Sequence, residues 1–331
     1  MNVPTSLSHP CYHDEEAARI QLEAIRWPAG PYCPKCGSFD RVKTTTVPNK
    51  SKDKGGWYHC ADCRRRFTVR SGSIFERSHV PLSKWLLAFR LMNSSKKGFS
   101  SHQLMRTLEV DLKTTWYIEH RIRECMDENG GDPLGGKDQV VEMDETFWGP
   151  PSPGLHSESN WVFVNGEGWV QRVPDKKMKI VTLVERGGSG RARSVHVDAI
   201  NSATILEILM RNAVRESHLH TDESYIYFRP AAFMGRHERV NHKDEEYVKR
   251  GRDGVKVTTN TVEGYFSVFK RGMRGTYQHC SEKYLQRYLN EFDFRYSNRA
   301  ALGVDDAERT TRAIRNATGR RLLYRQPRRI A

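Results

Sequence analysis

Val140-Val141-Glu142-Met143-Asp144 is an apolar run that stops on an acid, and it reads as a β-strand. The same kind of segment recurs downstream. Trp161-Val162-Phe163-Val164, Ile180-Val181-Thr182-Leu183-Val184 and Ser194-Val195-His196-Val197 are three more strand candidates. His218-Leu219-His220-Thr221-Asp222 is a shorter one, and it too ends on an acid. Residues 202–216 place Ile205, Leu206, Ile208, Leu209 and Val214 at helical spacing, and 260–273 and 281–296 also read as helices. Strands followed by interleaved helices predict an α/β layer architecture.

Acids at the ends of neighbouring strands can converge on one point. Asp144 and Asp222 are such a pair, and Glu263, in the predicted helix Asn260-Thr261-Val262-Glu263-Gly264-Tyr265-Phe266, can add a third carboxylate. Three carboxylates suit a hard divalent cation, with Mg²⁺ the expected ion and Mn²⁺ its substitute. Two ions roughly 3.5–4 Å apart can activate the attacking oxygen and stabilise the leaving oxygen of a phosphodiester. Lys270 follows Glu263 by seven residues, about two helical turns, so both share a face and the lysine can hold a phosphate. Arg271 and Arg274 extend that basic face. The competing reading is that these acids are surface or salt-bridged carboxylates. Glu142 and Glu145 are assigned an odd offset from Asp144 and hence the opposite face of the strand; Asp198 and Glu223 are lesser rivals.

Upstream, Asn129-Gly130-Gly131-Asp132-Pro133-Leu134-Gly135-Gly136 marks a domain boundary. Before it lies a different kind of sequence. Residues 14–26 predict a short amphipathic helix, with Asp14 as N-cap, Glu15 and Glu16 at its positive end, and Pro28 and Gly30 as stops. Cys33-Pro34-Lys35-Cys36 and Cys60-Ala61-Asp62-Cys63 are two C-x-x-C knuckles with 23 residues between them. Two such knuckles complete a tetrahedral, closed and therefore structural Zn²⁺ site. Gly37 supplies the positive φ that the first knuckle needs. Trp57-Tyr58-His59 and Arg66-Phe67-Thr68-Val69 read as strands of a zinc ribbon. A redox role lacks the expected βαβ surroundings, and free thiols are the other alternative. Cys11, Cys125 and Cys280 read as isolated, partly buried thiols. Arg64-Arg65-Arg66 is either a phosphate contact or a solvated charge run.

Residues 82–92 predict a buried helix. Gly98-Phe99-Ser100-Ser101 then opens a helix carrying Leu104, Met105 and Leu108, and a break at Val110-Asp111 leads to a second with Trp116, Tyr117, His120, Ile122 and Met126. Two short helices joined by a tight turn read as a helix-turn-helix. Its second helix, about residues 111–125, would enter the major groove, with Lys113, Thr114, Thr115 and Arg121 as candidate contacts. A packing helix with a solvated face is the alternative.

The 331 residues carry a net charge of +14, which favours a polyanionic partner. No stretch approaches the roughly 20 apolar residues of a membrane span. The N-terminus lacks the basic and apolar regions of a signal peptide, so a cytoplasmic protein is expected. Seven cysteines, four of them paired as C-x-x-C, favour metal over disulfides in that compartment.

Taken together, the quoted motifs resemble the DDE-type insertion-sequence transposases with an N-terminal zinc ribbon, the ISXO-like group. The matching stretches are Tyr32 to Cys36 with Cys60 to Phe67, Ser100 to Met126, Val141 to Gly149, His220 to Asp222, and Asn260 to Arg295. The resemblance implies a multidomain chain: an N-terminal helix over 1–30, a zinc ribbon over 31–80, a helix-turn-helix region over 81–128, an RNase H-like α/β catalytic domain over 137–300 and a basic tail over 301–331. It implies Asp144 on the first strand, Asp222 on the fourth and Glu263 on the following helix, with Lys270 at its family spacing and Asn260 supporting or joining the metal shell. The implied activity is metal-dependent cleavage of the 3′ ends of an insertion sequence at its terminal inverted repeats, then strand transfer into target DNA. The implied partners are double-stranded DNA and further copies of the chain assembled on it, on the bacterial nucleoid. A zinc-dependent DNA-binding regulator with an inactive catalytic domain and a related RNase H-fold nuclease are the other readings. The Pro-, Gly- and Ser-rich segment from Pro150 to Asp175 matches the family poorly.

Overall fold

The structure is a computed structural model and describes residues 2–46, 55–128, 130–149, 161–164, 168–171, 177–187, 189–241, 248–251 and 254–322, with backbone alone for 161–164 and 168–171. In chain order its elements are α1 (Glu15–Arg26), β1 (Val42–Thr44), β2 (Tyr58–Cys60), β3 (Arg66–Phe67), α2 (Leu82–Ser94), α3 (Ser101–Leu108), α4 (Leu112–Cys125), β4 (Val140–Trp148), β5 (Trp161–Val164), β6 (Gly168–Gln171), β7 (Met178–Arg186), β8 (Ala192–Val197), α5 (Ser202–Asn212), β9 (His218–Thr221), α6 (Phe228–Ala231), β10 (Arg236–Arg239), β11 (Lys249–Arg250), β12 (Lys256–Val257), α7 (Asn260–Gly272), α8 (Glu282–Ser297) and α9 (Asp306–Arg315). The chain forms two compact units. One comprises Met1–Gly130, Arg271–His279 and Asn290–Ala331; the other comprises Gly131–Lys270 and Cys280–Leu289. Among the described residues no helix is long and apolar enough to cross a membrane.

In the first unit α1 begins where the sequence predicts. The Asp14 carboxylate accepts the Ala17 amide at 2.7 Å, and Ala18, Leu22 and Ile25 are buried on one face. Trp85, Leu86, Phe89 and Met92 of α2 join the same core. Helix α3 opens on a capping box at Ser100 and Gln103, and α4 opens on Asp111, which caps Thr114. The turn between them uses Glu109 in a left-handed conformation, φ 51°. The expected basic tail is corrected over residues 306–315, which form α9. Its Ala313 and Ile314 are buried, and Arg309 is drawn inside to donate to the carbonyls of Asn93 and Asn298. The rest of that tail, 323–331, lies outside the described residues.

A buried ionic network crosses this unit. Arg123 of α4 donates to Glu291 of α8 at 2.8 Å and lies 3.8 Å from Glu119, and all three side chains are fully buried. Arg295 and the Tyr277 hydroxyl also donate to Glu291, while Ser101 donates to Glu119. The two carboxylates titrate in opposite directions. Burial pushes Glu291 up, but Arg295 and Arg123 outweigh it and hold the group below its ordinary value. Burial raises Glu119 to about 7, because Arg123, 3.8 Å away, and the Ser101 hydroxyl offset too little of it, and the Glu291 charge adds to the rise.

The second unit is built on a five-stranded sheet, ordered β10-β9-β4-β7-β8 among the described residues. Strand β7 runs antiparallel to both β4 and β8, whereas β9 pairs parallel to β4 and β10 parallel to β9. Alternation sorts the side chains. Val141, Met143 and Leu219 pack with Ile205, Ile208 and Leu209 of α5 on one face. Glu142 and Asp144 project to the other. This corrects the expectation for Glu142: it stands two residues from Asp144, so period 2 puts both on one face. Strand β4 also runs four residues past Asp144, because Thr146 and Trp148 continue the ladder with Ile180 and Met178 of β7. Helix α5 ends at Asn212 rather than 216, since Ala213 turns extended and bridges Leu134. Most of the segment from Pro150 to Asp175 lies outside the described residues; β5 and β6 within it pair as a hairpin.

The raised value of Glu119 means that the folded chain holds this proton more tightly than the unfolded one. Its stabilising contribution is complete below about 4.5 and is lost as pH rises from there through about 7. Between pH 5 and pH 8, Glu119→Gln should therefore gain about 2–3 kcal/mol relative to the wild type. Melting temperatures of both proteins across this range check it; parallel curves contradict it.

Candidate active site and zinc site

The parallel ladder between β4 and β9 aligns two acids. Its last pair is Glu142 with His220; two residues further stand Asp144, within β4, and Asp222, just past the end of β9. Each Asp is fixed by its own backbone. The Asp144 Oδ1 accepts the Glu145 amide at 2.8 Å, and the Asp222 Oδ1 accepts the Ser224 amide at 2.9 Å. Glu145 joins them from the other face of the strand, where it accepts the buried Tyr227 hydroxyl. Asp144, Glu145 and Asp222 each offer an oxygen within 4.8 Å of the other two. Burial raises the Asp144 carboxyl to about 7, and the charges of Glu145, Asp222 and Glu263 add to it against the Glu145 amide. Burial likewise raises Glu145, with Asp222 adding to it and the Tyr227 hydroxyl opposing it. Carboxylates crowded in this way need a shared proton or a cation, and an all-oxygen donor set suits Mg²⁺.

Glu263 approaches from α7. Its Oε1 accepts the Thr259 hydroxyl at 2.9 Å, and its side chain is exposed. It is not one of the three acids whose oxygens lie within 4.8 Å of one another, yet its charge reaches Asp144. What sets the position of α7 is Glu142. This buried carboxylate accepts the amides of Thr261 at 2.8 Å and Val262 at 3.1 Å and the Thr261 hydroxyl at 2.8 Å. It therefore caps α7 from the strand that carries Asp144. A second tie runs from Tyr265 of α7 through the Ser194 hydroxyl, at 2.9 Å, to Thr182 at 3.0 Å, and Thr182 is the ladder partner of Asp144. Asn260 is exposed at the first position of α7. The Lys270 Nζ lies 5.9 Å from the Phe266 ring. Arg271 and Arg274 are exposed and belong to the first unit.

Sequence reading set aside both neighbours of Asp144. For Glu142 the period-2 rule already pointed to the face of Asp144. For Glu145 no local signal shows that its carboxylate folds back toward Asp222.

The second cluster lies in the first unit. Cys33, Cys36, Cys60 and Cys63 bring four sulfurs within 4.8 Å of one another, with Cys33–Cys63 at 3.5 Å and Cys36–Cys60 at 3.6 Å. A tetrahedron with Zn–S near 2.3 Å has edges of roughly 3.8 Å, so the set fits Zn²⁺. Both knuckles turn the same way: the residue after each second cysteine has positive φ, 77° at Gly37 and 57° at Arg64. Strands β1, β2 and β3 form the ribbon, and Trp27, Tyr58 and Phe67 pack beneath it with ring centroids 5.4–6.0 Å apart. Cys11, Cys125 and Cys280 are buried outside the cluster.

The candidate DNA contacts divide. Arg64, Arg65, Arg66 and Lys113 are exposed. The half-buried Thr114 hydroxyl donates to Asp111 at 2.6 Å. Thr115 and Arg121 correct the expectation, because both turn inward. Thr115 donates to the Asp111 carbonyl, and Arg121, 5% exposed, donates to the Ile74 carbonyl and the Tyr117 hydroxyl.

A cysteine-held ribbon and a mixed sheet with clustered acids define the class. A model of the transposase zinc-ribbon domain matches residues 13–66, and a model of the ISXO2-like transposase domain matches residues 133–297. A protein of Halobacterium salinarum, described as an uncharacterized protein in transposable element ISH50, is 27% identical over 291 residues, 85% of this chain and 90% of that protein. The chain belongs to the zinc-ribbon DDE transposases.

Removing the strand-borne cap should loosen α7 first. Glu142→Ala should speed hydrogen exchange at the Thr261 and Val262 amides and destabilise the fold by about 2–4 kcal/mol. Glu142→Gln, which keeps one acceptor oxygen, should fall between; wild-type exchange rates in both variants would contradict the capping role.

Proposed function

We propose that the protein binds the terminal inverted repeats of an insertion sequence, cleaves its 3′ ends in a metal-dependent reaction and transfers them to target DNA. The observation that carries this reading is the meeting of Asp144 and Asp222 at one point on adjacent parallel strands, inside a cluster whose mutual repulsion favours a cation. The strand order and directions support an RNase H-like fold for the second unit, with Asp144 on its first sheet strand and Asp222 directly after its fourth.

Asp144 and Asp222 are the central metal ligands. Glu263 is the third, and Asn260 stands one turn before it. The Thr259 hydroxyl steers the Glu263 carboxylate, and its charge already acts on Asp144. Bound Mg²⁺ ions supply Lewis-acid activation of the attacking oxygen and stabilise the leaving oxygen. The chain's own residues orient the acids: the Glu145 and Ser224 amides hold the two aspartates, and Tyr227 holds Glu145. Lys270 anchors a neighbouring phosphate as a point charge. Both chemical steps are displacements at phosphorus and use no protein nucleophile.

DNA recognition falls to the first unit. Arg64, Arg65 and Arg66 contact phosphates from the ribbon. Helices α3 and α4 act as a helix-turn-helix, presenting Lys113 and Thr114 from the start of α4. Arg271 and Arg274 add phosphate contacts, and the active form is an oligomer on DNA. A regulator with an inactive catalytic domain is not favoured, since such a role leaves the clustered acids without a use.

Cleavage of a mini-element carrying the flanking repeats, with Mg²⁺ and with chelator, tests this. Asp144→Asn, Asp222→Asn and Glu263→Gln should each lose more than the roughly 10–100-fold that removal of an outer partner costs, with repeat binding retained. Wild-type cleavage by these variants contradicts the assignment; loss in Glu145→Gln with retention in Glu263→Gln moves the third ligand to Glu145.

A further inference from the structure

The segment that follows Asp222 is apolar on its outer side. Tyr225 is 79% exposed and Phe228 is 59% exposed. Single exposed aromatics are ordinary, but these two form a pair. Their ring planes lie within 3° of parallel, with centroids 6.2 Å apart. At that separation the rings overlap little, and most of a face of each stays open. The Arg239 guanidinium sits 6.0 Å from the Phe228 ring centroid, and the exposed Arg229 follows Phe228 in sequence.

The pair is held in place by residues that point inward. The Ser224 amide donates to Asp222, the Ile226 carbonyl accepts the Ser202 hydroxyl at 3.0 Å, and the buried Tyr227 donates to Glu145. Two of these three anchors, Asp222 and Glu145, are members of the carboxylate cluster, and the third is Ser202 of α5. The core makes no use of the Tyr225 and Phe228 rings. Open ring faces flanked by guanidinium groups match the chemistry of a nucleotide, whose base stacks on an aromatic while its phosphate meets a cation. A paired duplex exposes groove edges and phosphates, with its base faces stacked on one another. An open ring face therefore serves a base that has left its pair.

We propose that Tyr225 and Phe228 form a stacking platform for an unpaired base of the DNA strand held at the carboxylate cluster. The proposal rests on the transposase reading and adds to it a subsite for a frayed or flipped nucleotide beside the cleaved position.

The test compares binding of the full chain to two oligonucleotides, a blunt duplex and the same duplex with a three-nucleotide single-stranded overhang, by fluorescence anisotropy. The wild type should prefer the overhang by about tenfold or more, as expected for base–aromatic stacking. The Tyr225→Ala and Phe228→Ala double variant should lose that preference while keeping its affinity for the blunt duplex and its melting temperature. Tyr225→Phe should keep the preference. An unchanged preference in the double variant, an equal loss on both DNAs, or no preference in the wild type overturns the platform. Metal-dependent cleavage by the wild type is scored separately: its absence removes the transposase reading, whereas its presence without an overhang effect removes the platform alone.

Discussion

The second unit depends on one electrostatic conflict: acids crowded together at the place where the parallel ladder of β4 and β9 stops. Burial first, and then the charges of the neighbouring carboxylates, drive Asp144 toward protonation and raise it to about 7. The fold imposes the crowding anyway. Backbone amides fix Asp144 and Asp222, a buried tyrosine fixes Glu145, and a further buried carboxylate on the same strand fixes the start of the helix that brings Glu263. Stability given up at one point in this way is characteristic of a site that binds a cation or does chemistry.

Glu142 shows how the strand and the helix are made one device. An ordinary helix carries its own N-cap, but α7 takes its cap from β4. A shift of the helix start would break three hydrogen bonds to a buried charge, so the spacing between Asp144 and Glu263 is tied to the strand register. The first unit solves a different problem. Its ribbon has short strands and a small aromatic layer, and four thiolates around Zn²⁺ supply what so small a core lacks.

Much of this was legible in the sequence, because the signals were local. Apolar runs ending in acids gave the strands that carry Asp144 and Asp222, and two C-x-x-C pairs gave the zinc site. Asp14, Ser100 and Asp111 marked helix starts through ordinary capping chemistry. Glu142 was a local miss, since strand alternation already placed it beside Asp144; the other misses were long-range. Glu145 enters the cluster through Tyr227 and Asp222, both far downstream in the chain. Arg121 and Thr115 are polar residue types that suit DNA contact, but both turn inward, Arg121 to the Ile74 carbonyl tens of residues away. The Arg-rich end of the chain reads as a tail until Ala313 and Ile314 are seen to be buried, which depends on the apolar face it meets. Charge alone did not reveal that arginines such as Arg123, Arg295 and Arg309 would be spent inside the fold.

The central claim is that Asp144 and Asp222 share a divalent cation. Anomalous diffraction from crystals of the protein grown with Mn²⁺ tests it most directly. The account predicts a manganese peak bridged by these two carboxylates, with oxygen distances of roughly 2.0–2.2 Å and with Glu263 at or beside the coordination sphere. A cluster that stays free of manganese at millimolar concentration, with both aspartates protonated or paired to cationic side chains instead, would contradict it.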